Sequence, residues 1–270
     1  MASIDVNLNG QVALITGGSR GIGAATAVAL GKAGASIAIT YNRSREKAEN
    51  VLRELKPFGI QAMALSLDLQ NGDSIRSVVS QVMEKFGRID ILVNNAAVGS
   101  ATVLKYSHSG KEDEAMLQIN ATGVLLCVQA VLPILLKQNY GKIISISSVD
   151  GGITVMPTFR LSDGMSKATV AFLTRQIVAD HPHEQVDAFC VCPGAVDTQM
   201  FRESTLDHLP PSEREALIAT LPQKRLILPQ EIAQLILFLC TPAARICRGA
   251  VIDASFGLGV RPGLISETKK

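Results

Sequence analysis

Residues 12–32 read VALITGGSRGIGAATAVALGK. The apolar run Val12 to Ile15 predicts a buried strand, and Ala24 to Lys32 predicts a helix. Four glycines stand between them, at positions 17, 18, 21 and 23, where the chain needs positive φ or a close backbone approach. A strand that turns through glycines into a helix directs free N–H groups and the positive end of the helix dipole at one point. This suits a pyrophosphate, and the stretch therefore predicts a dinucleotide site rather than an ordinary βα turn.

Further strands and helices alternate along the rest of the chain. Apolar or β-branched runs predict strands at residues 36–40, 61–67, 89–93, 142–147, 187–191 and 250–253. Helical patterns lie between them at residues 45–55, 74–86, 112–137, 166–179 and 230–239, with Asp73 and Pro229 as start signals. The alternation predicts an α/β fold: a single Rossmann-type, doubly wound parallel sheet of about seven strands with helices on both faces. The segments that follow the strands then meet in one crevice.

Size and composition narrow the function classes. With 270 residues, 47% of them hydrophobic, and no linker, we expect one domain over residues 1–270, with a substrate-pocket segment at about 194–228. A net charge of +2 with interspersed charges argues against nucleic acid. The apolar stretch at residues 124–136 is interrupted by Gln129 and Pro133, and residues 1–10 lack a signal-peptide pattern, so no membrane partner is expected.

The cysteines predict the cellular compartment, and the histidines bear on metal binding. Five cysteines in apolar surroundings, without a close pair of the CxxC type, predict reduced core thiols and a cytoplasmic protein. His181 and His183 flank Pro182 at a predicted helix exit, so they indicate a surface turn rather than metal ligands, and no metal is expected.

Several motifs, in order over nearly the whole chain, resemble the short-chain dehydrogenase/reductase family. They are Thr16-Gly17-x-x-x-Gly21-x-Gly23, Asp68-Leu69, Asn94-Asn95-Ala96-Ala97, Asn120, Ser148, Lys167 and Pro193-Gly194. The resemblance is to the oxoacyl reductase branch, and it implies that residues 223–233 form a helix closing the substrate pocket. It also implies that Asp68 meets the adenine, that Lys167 binds the nicotinamide ribose, and that Asn120, Ser148 and Lys167 serve catalysis. The cofactor-binding residues so predicted are Gly17, Ser19, Arg20, Gly21, Ile22, Gly23, Asn42, Arg43, Ser44, Asp68, Leu69, Asn95, Ala96, Lys167, Pro193, Gly194, Val196 and Thr198.

The chain departs from the family at the proton donor. The family pattern is Tyr-x-x-x-Lys, whereas this chain reads Asp163-Gly164-Met165-Ser166-Lys167. An aspartate has a pKa near ~3.9, and a neighbouring lysine is expected to lower that pKa further, so Asp163 is predicted to be ionised and unable to donate a proton. As i,i+4 neighbours on a helix, Asp163 and Lys167 could also simply pair. The interval from Ser148 to Asp163 is slightly longer than the usual spacing in the family. We therefore predict that the loop at residues 150–161 reshapes the pocket.

The end of the second strand predicts the cofactor. An NAD site would place a carboxylate there, but the chain reads Ile39-Thr40-Tyr41-Asn42-Arg43-Ser44. Arg43, with Asn42 and Ser44 beside it and Arg20 in the glycine loop, suits a 2′-phosphate, so NADP(H) is predicted. The alternative is that Arg43 and Arg45 are only solvated charges at a helix start.

Three functions stay open. The first is an NADPH-dependent reductase of a small molecule. Its substrate is either a C=N bond, whose positive charge an ionised Asp163 would stabilise, or a C=O bond, protonated through Ser148, Lys167, water or Tyr106. The second is a non-redox isomerase or lyase with Asp163 as base, and the third is an inactive NADP-binding sensor or subunit. The mixed apolar and charged residues at 196–221 do not name the substrate. Apolar surface on the helices at residues 121–137 and 166–179 predicts a homotetramer or homodimer.

Overall fold

Seven parallel strands form one sheet in the computed structural model, which describes residues 6–157 and 159–261. The strand order is β3-β2-β1-β4-β5-β6-β7. The strands are β1 (Val12–Ile15), β2 (Ser36–Tyr41), β3 (Ala62–Ser66), β4 (Ile91–Asn94), β5 (Gly141–Ile146), β6 (Val186–Pro193) and β7 (Val251–Ala254). The order reverses beside β1, so a crevice opens where β1 and β4 end. The predicted fold class is confirmed.

Ten helical segments surround the sheet in the described part of the chain, together with short 3₁₀ turns. They are α1 (Gly21–Lys32), α2 (Arg45–Leu55), α3 (Gly72–Phe86), α4 (Glu112–Leu117), α5 (Gly123–Gln138), α6 (Val149–Gly152), α7 (Leu161–Asp180), α8 (Gln199–Phe201), α9 (Pro211–Thr220) and α10 (Pro229–Leu239). Asn71 caps α3, since its side-chain oxygen accepts the N–H groups of Asp73 and Ser74. The start signal expected at Asp73 therefore lies one residue inside the helix.

The two faces of the sheet carry separate cores. Along β1, Ala13 and Ile15 pack on the face that α1, α2 and α10 cover, while Val12 and Leu14 pack on the face of α3 and α5. Strands buried on both faces explain why apolar residues run on without alternation. In the described residues, α10 packs against α1 and does not line the cleft, which corrects the expectation that residues 223–233 close the pocket.

A π-helical turn interrupts the long helix expected at residues 112–137. Gln118–Thr122 form this turn between α4 and α5, and Asn120 lies inside it, almost fully buried. The run Glu112–Gln138 is long and apolar enough for a membrane span by length and composition, with a mean hydropathy of 2.1 in its most apolar window. Here its apolar face fills the core through residues such as Val128 and Val131.

Four cysteines are buried thiols, as expected, and Cys247 is not. Cys127, Cys190, Cys192 and Cys240 lie in the core. Cys247 is exposed because it ends a 3₁₀ turn on the surface.

Candidate active site

A cavity of about 490 Å³ opens at the carboxyl ends of the central strands. Of the predicted cofactor residues, those that line it are Gly17, Ser19, Arg20, Gly21, Ile22, Asn42, Arg43, Ser44, Asp68, Leu69, Asn95, Ala96, Lys167, Pro193, Gly194, Val196 and Thr198. Gly23 is not among the lining residues. A Cβ on Gly23 would lie 2.4 Å from the carbonyl oxygen of Gly17, so this glycine lets α1 pack against the loop.

The glycine loop is held by its neighbours at the end of β4. Gly17 has φ +65°, and a Cβ there would lie 2.8 Å from the Cα of Ala96. The Asn95 side-chain amide donates to the carbonyls of Thr16 and Gly17, both at 3.0 Å. These bonds fix the loop at the place where α1 begins. The backbone path that the sequence predicts for residues 12–32 is therefore braced by a segment about 80 residues away.

The start of α1 offers an unopposed positive dipole to the cavity. In the described chain, no side chain caps this helix and its first turn holds no acidic residue. Gly21 has φ +56°, and a Cβ there would lie 3.1 Å from the Cγ2 atom of Thr198. An uncapped N-terminus with free N–H groups is a good environment for a phosphate.

Cationic side chains surround the same end of the cavity. The Arg43 guanidinium lies 4.8 Å from the ring centre of Tyr106, and both line the cavity. Gln199 Oε1 accepts from Arg20 Nη1 at 3.0 Å and from Lys47 Nζ at 2.8 Å. Sequence reasoning missed Lys47, which lies in the first turn of α2, and Gln199, which begins α8. Three cations therefore lie where β2 ends and α1 begins.

Ser148, Asp163 and Lys167 line the other end of the cavity together. Asn120, also predicted as catalytic, is not a lining residue. Its side-chain oxygen accepts the N–H of Val98 at 2.9 Å, and its amide donates to the Val98 carbonyl at 2.8 Å. Asn120 thus holds the segment after β4, whose residues do line the cavity.

Two further segments shape this end. The loop before α7 contributes Phe159 and Arg160 to the cavity wall. From the predicted segment at residues 196–221, the lining residues include Met200 and Phe201, whereas Leu206 is buried away from the cavity. Only the first part of that segment therefore lines the cavity.

Burial raises the pKa of Asp163, whereas the sequence predicted a lowered pKa. The half-buried position raises the pKa of the Asp163 carboxyl, Lys167 acts against that rise, and Asp150 adds to it. The expectation that Lys167 lowers this pKa is wrong in its net direction, because loss of hydration outweighs the attraction. Burial also lowers the pKa of Lys167. The two side chains form no salt bridge in the part of the chain that the structure describes.

Lys167 is fixed from the sheet. The Ser147 hydroxyl donates to the backbone carbonyl of Lys167 at 2.8 Å, which joins the end of β5 to α7. This contact anchors α7 to the end of β5 at Lys167, one helical turn after Asp163. Sequence reasoning named Ser148 and missed the role of Ser147, which the strand end alone does not reveal.

The sequence pattern of the short chain dehydrogenase family matches residues 11–208. A 3-oxoacyl-[acyl-carrier-protein] reductase of Synechocystis is 34% identical over 253 residues, covering 93% of this chain and 98% of that protein. A versicolorin reductase of Emericella nidulans is 31% identical and covers 95% of this chain and 98% of its own. The structure of the Pseudomonas aeruginosa RhlG/NADP active-site complex superposes with a TM-score of 0.82 at 32% identity, covering 94% and 98% of the two chains.

The chain belongs to the short-chain dehydrogenase/reductase family. It is an oxidoreductase of that type, similar to 3-oxoacyl-[acyl-carrier-protein] reductases.

Proposed function

We propose that this protein is an NADPH-dependent reductase that delivers hydride to a C=O or C=N bond of a small molecule. One observation carries the proposal: a single cavity runs from the glycine loop to Ser148, Asp163 and Lys167. The cofactor would supply the hydride. The similar structure that names NADP, and the relatives named as reductases, support this reading.

The preference for NADPH rests on the cations at the end of β2. Arg43 lies over the ring of Tyr106, and Arg20 and Lys47 share one neutral acceptor, the amide oxygen of Gln199. A 2′-phosphate would offer those cations a charged acceptor, and charge-assisted hydrogen bonds are about twice as strong as neutral ones. The carboxylates among the described lining residues are Asp68 and Asp163, and neither follows β2. Asp68 follows β3, and Asp163 lies on α7.

At the reacting end, we propose that Asp163 stands where the family places its tyrosine. The Ser148 side chain accepts the N–H of Asp150 at 3.3 Å, so its own proton is available to a substrate oxygen or nitrogen. Lys167, fixed through Ser147, would hold the cofactor ribose. Substrate selection would fall to Phe159, Met200 and Phe201, which give this end an apolar wall.

Turnover of NADPH tests the proposal. The unmodified protein is assayed with a panel of ketones, including 3-oxoacyl thioesters, and with a panel of cyclic imines. We expect NADPH oxidation with at least one panel, and the same panels are run on Asp163→Tyr, which restores the tyrosine of the family pattern. NADPH binding without turnover by either protein would instead favour an inactive binding subunit, and product formation without NADPH oxidation would favour an isomerase or lyase.

We also propose a cytoplasmic homotetramer or homodimer. Leu125 on α5, and Met165 and Phe172 on α7, are large apolar side chains left exposed on the two helices. A second copy would cover them, because large apolar side chains left exposed on two helices favour an interface. Light scattering at micromolar concentration is expected to exceed the 28.7 kDa of one chain, and Phe172→Asp should lower the measured mass.

A further inference from the structure

A second carboxylate lies behind Asp163. Asp150 is only 6% exposed and belongs to the short turn α6 that follows Ser148. One of its oxygens, Oδ1, accepts the N–H of Met156 at 2.8 Å. In the described residues, no donor reaches the other oxygen, Oδ2.

Two glycines bring this carboxylate against α7. Gly151 has φ +77°, and a Cβ there would lie 2.1 Å from the carbonyl oxygen of Gly164. A Cβ on Gly164 would lie 3.2 Å from Oδ2 of Asp150. The turn and the helix therefore touch backbone to backbone. Oδ2 of Asp150 therefore lies against the residue that directly follows Asp163.

Charges from three elements act on Asp163. Asp150 contributes a like charge from α6, Arg160 an opposite charge from the segment before α7, and Lys167 an opposite charge from α7 itself. The charge of Arg160 is shared, because its Nε lies 2.6 Å from Oδ1 of Asp113 and its Nη2 lies 3.9 Å from Glu112. Burial disfavours ionisation of both Asp163 and Lys167. Burial and Asp150 thus both raise the pKa of Asp163, against the lowering effects of Lys167 and Arg160.

We infer that Asp163 is the proton donor of the proposed reductase, and that Asp150 is a positioning residue that keeps the proton on Asp163. This rests on the proposed function. The carbonyl carbon accepts the hydride from the nicotinamide while the C=O π pair moves to oxygen. That oxygen takes the proton from the Asp163 carboxyl, and the resulting carboxylate regains a proton from water. A neutral C=O group is then the matching substrate, rather than a cationic iminium.

Two readouts test the pair: the pH profile of kcat/KM for ketone reduction, and the carbon-13 NMR titration of the Asp163 carboxyl, assigned through Asp163→Asn. Asp150→Asn removes the like charge and keeps an oxygen for the Met156 N–H. It should move both the alkaline limb of the profile and the titration midpoint of Asp163 to lower pH by about one unit. Asp150→Ser is the second uncharged variant, should the first fail to fold. Asp180→Asn, at the far end of α7, is the matched control and should move neither.

An Asp163 midpoint that does not move in Asp150→Asn or Asp150→Ser would overturn the role of Asp150, whatever the activity. An alkaline limb that persists in Asp163→Asn would overturn Asp163 as donor. Absence of turnover by the unmodified protein would overturn the proposed function and the donor role with it, while the NMR titration would still report whether the two carboxylates are coupled.

Discussion

The two ends of the cleft are built by opposite physical means. At the glycine-loop end, solvent-facing cations and an uncapped helix start favour an added negative charge. At the Asp163 end, burial works against charge, raising the pKa of a carboxyl and lowering that of a lysine. Much of the first end comes from short stretches of adjacent residues, the glycine loop between β1 and α1 and the residues that follow β2. The second exists only after α6, α7 and the sheet have packed together, and it is there that sequence reasoning reached the wrong sign.

The largest effect is expected at the buried end. Asp163→Asn keeps the size of the side chain and removes its acidic proton, so kcat for ketone reduction should fall by about 10²–10⁴-fold. NADPH affinity should stay within about twofold, because the cations and the helix start that would hold the phosphates lie at the other end of the cavity. Steady-state kinetics and fluorescence titration measure the two quantities. Undiminished ketone reduction would show that the carboxyl has no part in the chemistry.

The next effect belongs to the cationic end. Arg43→Ala should weaken NADPH binding by about 10–100-fold, the loss expected for hydrogen bonds to a charged group, and leave NADH binding unchanged. Arg45→Ala is a matched control, because that guanidinium is exposed, lies 2.8 Å from Glu49 and is not a cavity-lining residue. Equal dissociation constants for NADPH and NADH in the unmodified protein would contradict the proposed preference.

The same contrast explains what the sequence could predict. The path from Val12 to Lys32 follows from local rules, because an apolar run, glycines and a helix former act on their own neighbours. The convergence of Ser148 and Lys167 follows from the parallel sheet. The contact between Gly151 and Gly164 does not, since it depends on how a short turn meets a helix start. Nor does the stacking of Arg43 on Tyr106, which joins residues 63 positions apart. The net pKa direction at Asp163 needs burial, which spacing does not supply.

A smaller effect sharpens the cationic end. Tyr106→Leu removes the ring under Arg43 but keeps an apolar side chain, so NADPH binding should weaken by about two- to fivefold, the range for an exposed cation–π contact. Tyr106→Phe keeps the ring and should bind NADPH as the unmodified protein does. Calorimetric titration of the three proteins measures the difference. A loss in Tyr106→Phe equal to that in Tyr106→Leu would assign the effect to the hydroxyl group instead.

The smallest effect concerns stability at the buried end. The folded state raises the pKa of Asp163, so folding favours its protonated form. That contribution is fully present below the unfolded pKa of about 3.9 and is lost as the pH rises through the higher folded value. Asn stays neutral at every pH. Asp163→Asn should therefore stabilise the protein at pH 7 to 8, which a higher Tm would show. The gain should vanish below about pH 4. Thermal melts of both proteins over this pH range measure it, with Asp180→Asn as the control on the same helix. A gain that is independent of pH would mean that the substitution acts through packing, and that burial at Asp163 does not oppose its charge.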